Sequence, residues 1–173
     1  EYSMLQFETK AITMRQDKSY ELSYEGRAMR EDELGSFEAD IINIVSHSDY
    51  SYYVDISYPE YINENYSGNP VNFFNDVLDQ LATQLEDGED FTKFIYEGDT
   101  ELAFEKLRHG DWTAYAFGVD YLGNLTGNWS EIKFDIEEET PTEDFKKWLG
   151  TWSIGSGKYF YNISISSAEA NQY

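Results

Sequence analysis

The hydrophobic period of this chain changes from two to between three and four, and then returns to two. Over residues 70–97 the pattern is helical, with Asn69 as N-cap, Pro70 at the first helical position and Gly88 after the apolar stripe. The apolar residues of the stripe recur at helical spacing: Val71, Phe74, Leu78, Leu81 and Leu85. A shorter helix over 90–98 is predicted to follow, capped by Asp90. The flanking segments alternate as half-buried strands do, so the sequence predicts a mainly β fold with a helical insertion at 70–97.

The strand predictions rest on alternation and on residue type. Residues 36–46 read as a strand with a bulge where the parity changes, and 50–58 and 100–107 read as further strands. In the segment WTAYAFGVDYLGNLTGNWSEIKFDI (112–136), the first arm is apolar on both faces, which is typical of an interior strand, and the second arm is its hairpin neighbour. Residues 63–69 are predicted to be loop. Residues 28–36, AMREDELGS, are predicted to be a loop or a short helical turn.

The acidic, proline-containing stretch EEETPTED at 137–144 has the composition of a linker. Before it, residues 1–140 are predicted to form an immunoglobulin-like β-sandwich carrying the helical insertion. After it, the β pattern restarts and stops after about one hairpin, and two strands are marginal alone. Residues 141–173 are therefore predicted to be a linker and the N-terminal fragment of a second β domain.

Charge and cysteine content exclude several classes of function. Thirty-four acidic residues against 12 basic ones give a formal charge of −22, which repels phosphate backbones and argues against nucleic-acid binding. Cysteine is absent, so disulfides, thiolate catalysis and cysteine zinc sites are ruled out. No apolar run reaches the roughly 18 residues that a membrane-spanning helix needs.

Few residues offer a route to catalysis. His47 and His109 each lie in a turn beside an Asp, where a surface role is far commoner than a role as base or metal ligand. Glu131 and Asp135 are one carboxylate pair among many that chance produces in so acidic a chain. The acidic stretch at 86–90 lacks the ligand spacing of a calcium loop. The sequence therefore predicts a non-enzymatic protein without metal or cofactor. The alternative is a glycoside hydrolase-like enzyme with an unrecognised carboxylate site.

Aromatic residues are the feature that favours binding. The chain holds 15 Tyr, 11 Phe and 4 Trp, and tyrosines are dense over residues 50–66. Some of them are expected simply to pack, whereas exposed ones offer flat faces for sugars. Because loops at the ends of a sandwich commonly carry binding residues, the predicted ligand-binding side chains are Tyr61, Tyr66, Tyr121 and Trp129. The negative charge disfavours acidic polysaccharides, so a neutral glycan or another surface protein is the predicted partner.

Three segments in this order resemble a known family: YSYYVDISYPEY, NFFNDVLDQLATQLEDG and WTAYAFGVDYLGNLT. Over about residues 37–152 the chain is similar to the fibronectin type III-like domain of exported surface lipoproteins of gut Bacteroidota. The segment WLGTW after the linker resembles the opening of the second β domain that often follows. Against the family pattern, LRHGDW lacks the corner proline and has Trp112 in place of a Tyr.

The resemblance implies a place in the cell rather than a chemistry. It implies an ectodomain at the outer-membrane surface or in the periplasm, attached to the membrane only through a lipid anchor upstream of this chain. It carries over no active-site residues, since the family has no agreed active site.

Overall fold

The computed structural model describes residues 12–85, 88–138 and 143–165. The chain divides into two compact units, one formed by 1–106 with 112–134 and the other by 107–111 with 135–173. Strands predominate, so the predicted mainly β fold with a helical segment is confirmed.

In chain order the strands are β1 (Arg15–Gln16), β2 (Tyr20–Asp32), β3 (Gly35–Ser46), β4 (Tyr52–Ser57), β5 (Thr100–Glu105), β6 (Gly110–Val119), β7 (Leu125–Ile136), β8 (Gly150–Ser156) and β9 (Tyr159–Ile165). The helices are α1 (Pro59–Tyr66), α2 (Pro70–Gln84) and α3 (Glu143–Lys146), with a 3-10 turn at Phe91–Lys93.

The strands of the first unit form two sheets. The sheet that we call central has the order β1-β7-β6-β4, and the sheet that we call outer has the order β2-β3-β5. In the central sheet β4 pairs antiparallel with β6, and β1 pairs parallel with β7. In the outer sheet both pairings are antiparallel. After β3 the chain passes to the central sheet with β4, returns to the outer sheet with β5, and ends this unit with β6 and β7 in the central sheet.

A cluster of apolar side chains joins the two sheets. The outer sheet contributes Tyr20, Ile42 and Ile44, and the central sheet contributes Tyr52, Val54, Ala114 and Ala116. The Tyr20 and Tyr52 ring centroids are 4.8 Å apart across this cluster. Burial of apolar surface between the sheets is the main stabilising term for such an arrangement, which is consistent with a β-sandwich.

The opposite face of the central sheet is covered by α1, α2 and the 3-10 turn. Phe74 of α2 is fully buried there and stacks on Phe117 of β6, with ring centroids 4.2 Å apart. Trp129 of β7 lies at an angle to the same Phe74 ring, 5.4 Å away. Residues 113–119 of β6 are all buried. The interior-strand prediction for this arm is therefore confirmed, because both of its faces contact apolar layers.

The β2–β3 hairpin corrects the prediction for residues 28–36. That stretch is neither a loop nor a helical turn: β2 continues to Asp32 and β3 begins at Gly35. One Asp32 carboxylate oxygen accepts hydrogen bonds from the backbone N–H groups of Leu34 and Gly35, at 2.7 and 3.0 Å, and so closes a tight turn. The polar side chains remain exposed at this end of the hairpin, so the sequence shows no hydrophobic alternation from which to read the strand.

A buried polar group lies in the outer sheet. Asp40 of β3 has no exposed surface, accepts a hydrogen bond from the Tyr24 hydroxyl at 2.8 Å and pairs with the Arg27 guanidinium at 3.0 Å. A register shift between Tyr24 and Gly26 of β2 lies opposite Ile41 and Ile42. The bulge predicted for β3 from its change of parity is thus found in the partner strand, where it lets both Tyr24 and Arg27 reach the Asp40 carboxylate.

The helical segment begins earlier than predicted, at residue 59, and the part after α2 is less helical than predicted. Residues 59–66 form α1, with Pro59 at the first helical position, so the prediction of a loop over 63–69 is wrong for 63–66 and right for 67–69. Asn69 caps α2 as predicted and accepts from the Val71 N–H at 3.1 Å. The second helix predicted over 90–98 is only a 3-10 turn at Phe91–Lys93. The helix does not continue because Tyr96 forms a β-bridge with Tyr52, which requires extended backbone.

In the second unit, β8 and β9 form a two-stranded antiparallel sheet. Its apolar side chains are largely in solvent; Ile154 is 58% exposed and Tyr159 is 73% exposed. Two strands alone are marginal, so an exposed hairpin of this kind is compatible with the predicted fragment of a second β domain, which stays a prediction. Across the parts of the chain that the structure describes, no helix is long and apolar enough to cross a membrane.

Candidate ligand-binding cleft

A cleft of about 330 Å³ opens where the end of β4 meets α1 and α2. Its lining comes from four elements of the first unit: Asp55, Ile56, Ser57 and Tyr58 around the end of β4, Tyr61 and Tyr66 of α1, Phe73, Val77 and Gln80 of α2, and Trp112 of β6. The cleft therefore combines aromatic rings with a carboxylate, an amide and hydroxyl groups.

Strand register and the start of α1 bring the aromatic rings together. Ser57 pairs with Thr113, so the next residues of the two antiparallel strands, Tyr58 and Trp112, are neighbours. Their rings meet edge to face, 5.7 Å apart at 87°. Pro59 then starts α1 at once, which places Tyr61 beside Tyr58 with ring centroids 5.7 Å apart. The rings stand at steep angles to each other and form walls rather than a flat stack.

The Tyr66 ring is held in place by a hydrogen bond. Its hydroxyl donates to the Asp76 carboxylate at 2.5 Å, and the Gln80 amide donates to the same oxygen at 2.8 Å. The hydrogen bond to Asp76 is the main cause that raises the pKa of Tyr66, because deprotonation would place two negative charges together. The Tyr66 phenol therefore stays protonated and fixed. Its edge also packs on Phe73 of α2, 5.5 Å away.

Asp55 is the charged group of the cleft. Successive residues of a strand face opposite sides, so Asp55 shares with Tyr53 and Ser57 the face of β4 that α2 covers. One carboxylate oxygen accepts from the Ile56 N–H at 2.7 Å. Burial raises the pKa of Asp55 to about 6, and the hydrogen bond from Ile56 opposes that rise. Among the described residues no basic side chain forms an ion pair with Asp55.

The sequence-predicted site residues divide between cleft, turn and core. Tyr61 and Tyr66 line the cleft. Tyr121 lies in the turn between β6 and β7, is 69% exposed and is not among the lining residues. Trp129 is only 8% exposed and belongs to the core between the central sheet and the helices. The expectation that Trp129 is a loop side chain is wrong, because β7 begins at Leu125 and turns the Trp129 ring toward α2.

Sequence reasoning missed Asp55 and Trp112 as site residues and did not single out Tyr58 among its neighbours. Tyr58 and Tyr61 lie three positions apart around Pro59, so recognising the helix start would have placed them on one face. Nothing local indicates Trp112 or Asp55. Their place in the cleft depends on the β4–β6 register and on the cover that α2 provides.

The other candidate groups lie apart from the cleft. His47 is a surface residue whose side chain is 51% exposed and lies 3.5 Å from a Glu21 oxygen. His109 is exposed and belongs to the second unit. In the described ranges, no group of three or more His, Asp or Glu side chains is placed to hold a metal ion. A wider depression of about 660 Å³ beside the β2–β3 turn is lined mainly by charged and turn residues and lacks clustered rings.

The groups that line the cleft match both the apolar and the polar parts of a sugar ring. Aromatic faces hold the apolar side of a sugar ring, and a carboxylate, an amide and hydroxyls bind its polar groups. Glycoside hydrolysis uses two carboxyl groups at a fixed separation. Asp55 is the one acidic residue in the lining among the residues described.

Comparison with protein-family models, with curated proteins and with solved structures finds no match for this chain. The resemblance to fibronectin type III-like domains of exported lipoproteins therefore stays a prediction.

Proposed function

We propose that this chain is a non-catalytic binding module with an immunoglobulin-like sandwich, and that its aromatic cleft holds one sugar unit of a glycan. The observation that carries the proposal is that the angled rings of Tyr58, Tyr61, Tyr66 and Trp112 line the same cleft as the Asp55 carboxylate. At about 330 Å³ the cleft lies at the lower end of the size range of ligand pockets. A short or terminal segment of a glycan suits it better than a long stretch.

The strand orders support the immunoglobulin-like part of the proposal. In that fold strands A, B and E share one sheet and C, F and G share the other. The orders β2-β3-β5 and β4-β6-β7 follow the same scheme when β2 is taken as A and β4 as C. The helices α1 and α2 then occupy the connection between C and E, which is where the resemblance places a helical insertion.

The cellular setting is proposed on the resemblance alone. An ectodomain of a surface lipoprotein at the outer membrane or in the periplasm meets glycans and other surface proteins, and it needs no active site to bind them. The formal charge of −22 disfavours acidic polysaccharides by repulsion, which narrows the proposed glycans to those without carboxylate or sulfate groups.

Titration calorimetry with a panel of non-acidic oligosaccharides tests the proposal. Replacing Tyr58 or Tyr66 with Ala removes one wall of the cleft and is expected to weaken binding by at least about tenfold, or roughly 1.4 kcal/mol. Tyr121→Ala is the matched control, because that ring is exposed and lies outside the cleft. Circular dichroism confirms that each variant is folded before binding is compared.

Two results would overturn the proposal. One is glycan binding whose affinity is unchanged in both Tyr58→Ala and Tyr66→Ala, since the ligand would then lie outside the cleft. The other is turnover of any oligosaccharide by the purified chain, which would favour the hydrolase alternative and a second carboxylate outside the described lining.

A further inference from the structure

We propose that the cleft selects a sugar bearing a free amine, with the ammonium group against Asp55 and the ring against Tyr58 and Trp112. The inference rests on the proposed function, since it names the class of glycan that the same cleft takes.

Asp55 is a half-buried carboxylate without a counter-ion among the described residues. Its one hydrogen bond uses a single oxygen, which accepts from the Ile56 N–H. Taking a carboxylate out of water costs free energy that an opposite charge or further hydrogen bonds must offset. Asp55 obtains neither from the residues described here, and its place in the lining leaves it open to a ligand.

The neighbouring groups add negative charge and no positive charge. The titratable side chains around Asp55 are Tyr53 on its own strand, Tyr58 just after that strand, Tyr61 and Tyr66 of α1, Asp76 of α2 and Tyr115 opposite it on β6. The Asp76 carboxylate already accepts hydrogen bonds from the hydroxyl of Tyr66 and the amide of Gln80. No basic side chain lines the cleft among the described residues. An anionic ligand group would be repelled there, whereas a cation would meet an uncompensated charge.

The aromatic walls favour the same ligand. An ammonium group within about 6 Å of a Tyr or Trp ring is attracted by its electron-rich face, and rings set at steep angles are how proteins build cages for such cations. Tyr58 and Trp112 meet at 87°, and Tyr61 and Tyr66 meet at 67°. A neutral hydroxyl would gain a hydrogen bond to the Asp55 carboxylate, whereas an ammonium would gain that hydrogen bond together with the attraction between two opposite charges.

The test compares glucosamine, N-acetylglucosamine and glucose trimers by titration calorimetry at pH 6.5 in high salt. The salt screens the general attraction between a cationic oligomer and a protein of charge −22. We expect the glucosamine trimer to bind at least about tenfold more tightly than either neutral trimer. Asp55→Asn is expected to reduce that preference, taken as the ratio of the affinities of this variant for the glucosamine trimer and for each neutral trimer, to about twofold or less.

Asp49→Asn is the matched control, because it removes the same charge from an exposed position outside the cleft lining and should leave the preference intact. Equal binding of all three trimers, lost in Tyr58→Ala, would overturn the inference and keep the proposed function. A preference that persists in Asp55→Asn would also overturn it. Failure of every trimer to bind would overturn both the inference and the proposed function. If a lysine-rich peptide binds while no trimer does, the ligand is a protein and not a glycan.

Discussion

Replacing Asp55 with Asn should stabilise the protein at neutral pH, although Asp55 lies in the proposed binding cleft. Asn keeps an oxygen that can accept from the Ile56 N–H, so the local hydrogen bond survives. What the substitution removes is the cost of holding a charged carboxylate against α2. Groups placed for binding commonly reduce stability in the absence of their ligand.

The pKa of Asp55 gives the sign and the size of the effect. The folded-state pKa is raised from 3.8 to about 6, whereas the unfolded chain ionises near its ordinary value. Between these values the unfolded state binds fewer protons, so the stability of the native protein falls as pH rises from about 4 to about 6. A shift of this size corresponds to at most about 3 kcal/mol. Solvent reaching the carboxylate reduces the expected gain for Asp55→Asn to about 1–2 kcal/mol.

Urea unfolding of the native chain and of Asp55→Asn, followed by circular dichroism at pH 4 and pH 7.5, measures this difference. The two should agree at pH 4, where the carboxyl is protonated in the folded state, and differ by about 1–2 kcal/mol at pH 7.5. Asp49→Asn, at an exposed position, controls for the loss of one negative charge. Destabilisation at pH 7.5, or the same gain at both pH values, would refute the reasoning.

Three further predictions concern the fold. Phe74→Ala removes a fully buried ring that stacks on Phe117, so urea unfolding should show a loss of about 3–5 kcal/mol, against less than about 0.5 kcal/mol for Leu34→Ala at 97% exposure. Asp40→Ala should cost about 3–5 kcal/mol by leaving the Arg27 guanidinium without its buried carboxylate, and Arg27→Met with Asp40→Leu should recover much of it. A chain ending at residue 140 should keep the near-ultraviolet spectrum of its core, since β8 and β9 pair with each other; an unfolded spectrum would contradict the predicted domain division.

Some of the side chains that line the candidate cleft were predicted from the sequence, and others were not. Tyr61 and Tyr66 were predicted from the density of tyrosines near the end of β4, and they do line it. Trp129 was predicted as a side chain of the 120–129 turn at an end of the sandwich, and it lies instead in the core. The difference arises because composition shows where aromatic residues are frequent but not which side of a sheet each one faces. That side is decided by strand register and by the layer packed against it.

The sequence by itself determined the mainly β fold, the capped helix α2 and the interior character of β6. Each of these follows from short-range periodicity or from a cap a few residues away, and those interactions are present in the local chain. Only the tertiary structure decided that Pro59 starts a helix, that Trp112 stands beside Tyr58, and that Asp55 is half-buried under α2. These depend on residues that are distant along the chain, because burial and charge compensation are properties of the assembled layers rather than of any single segment.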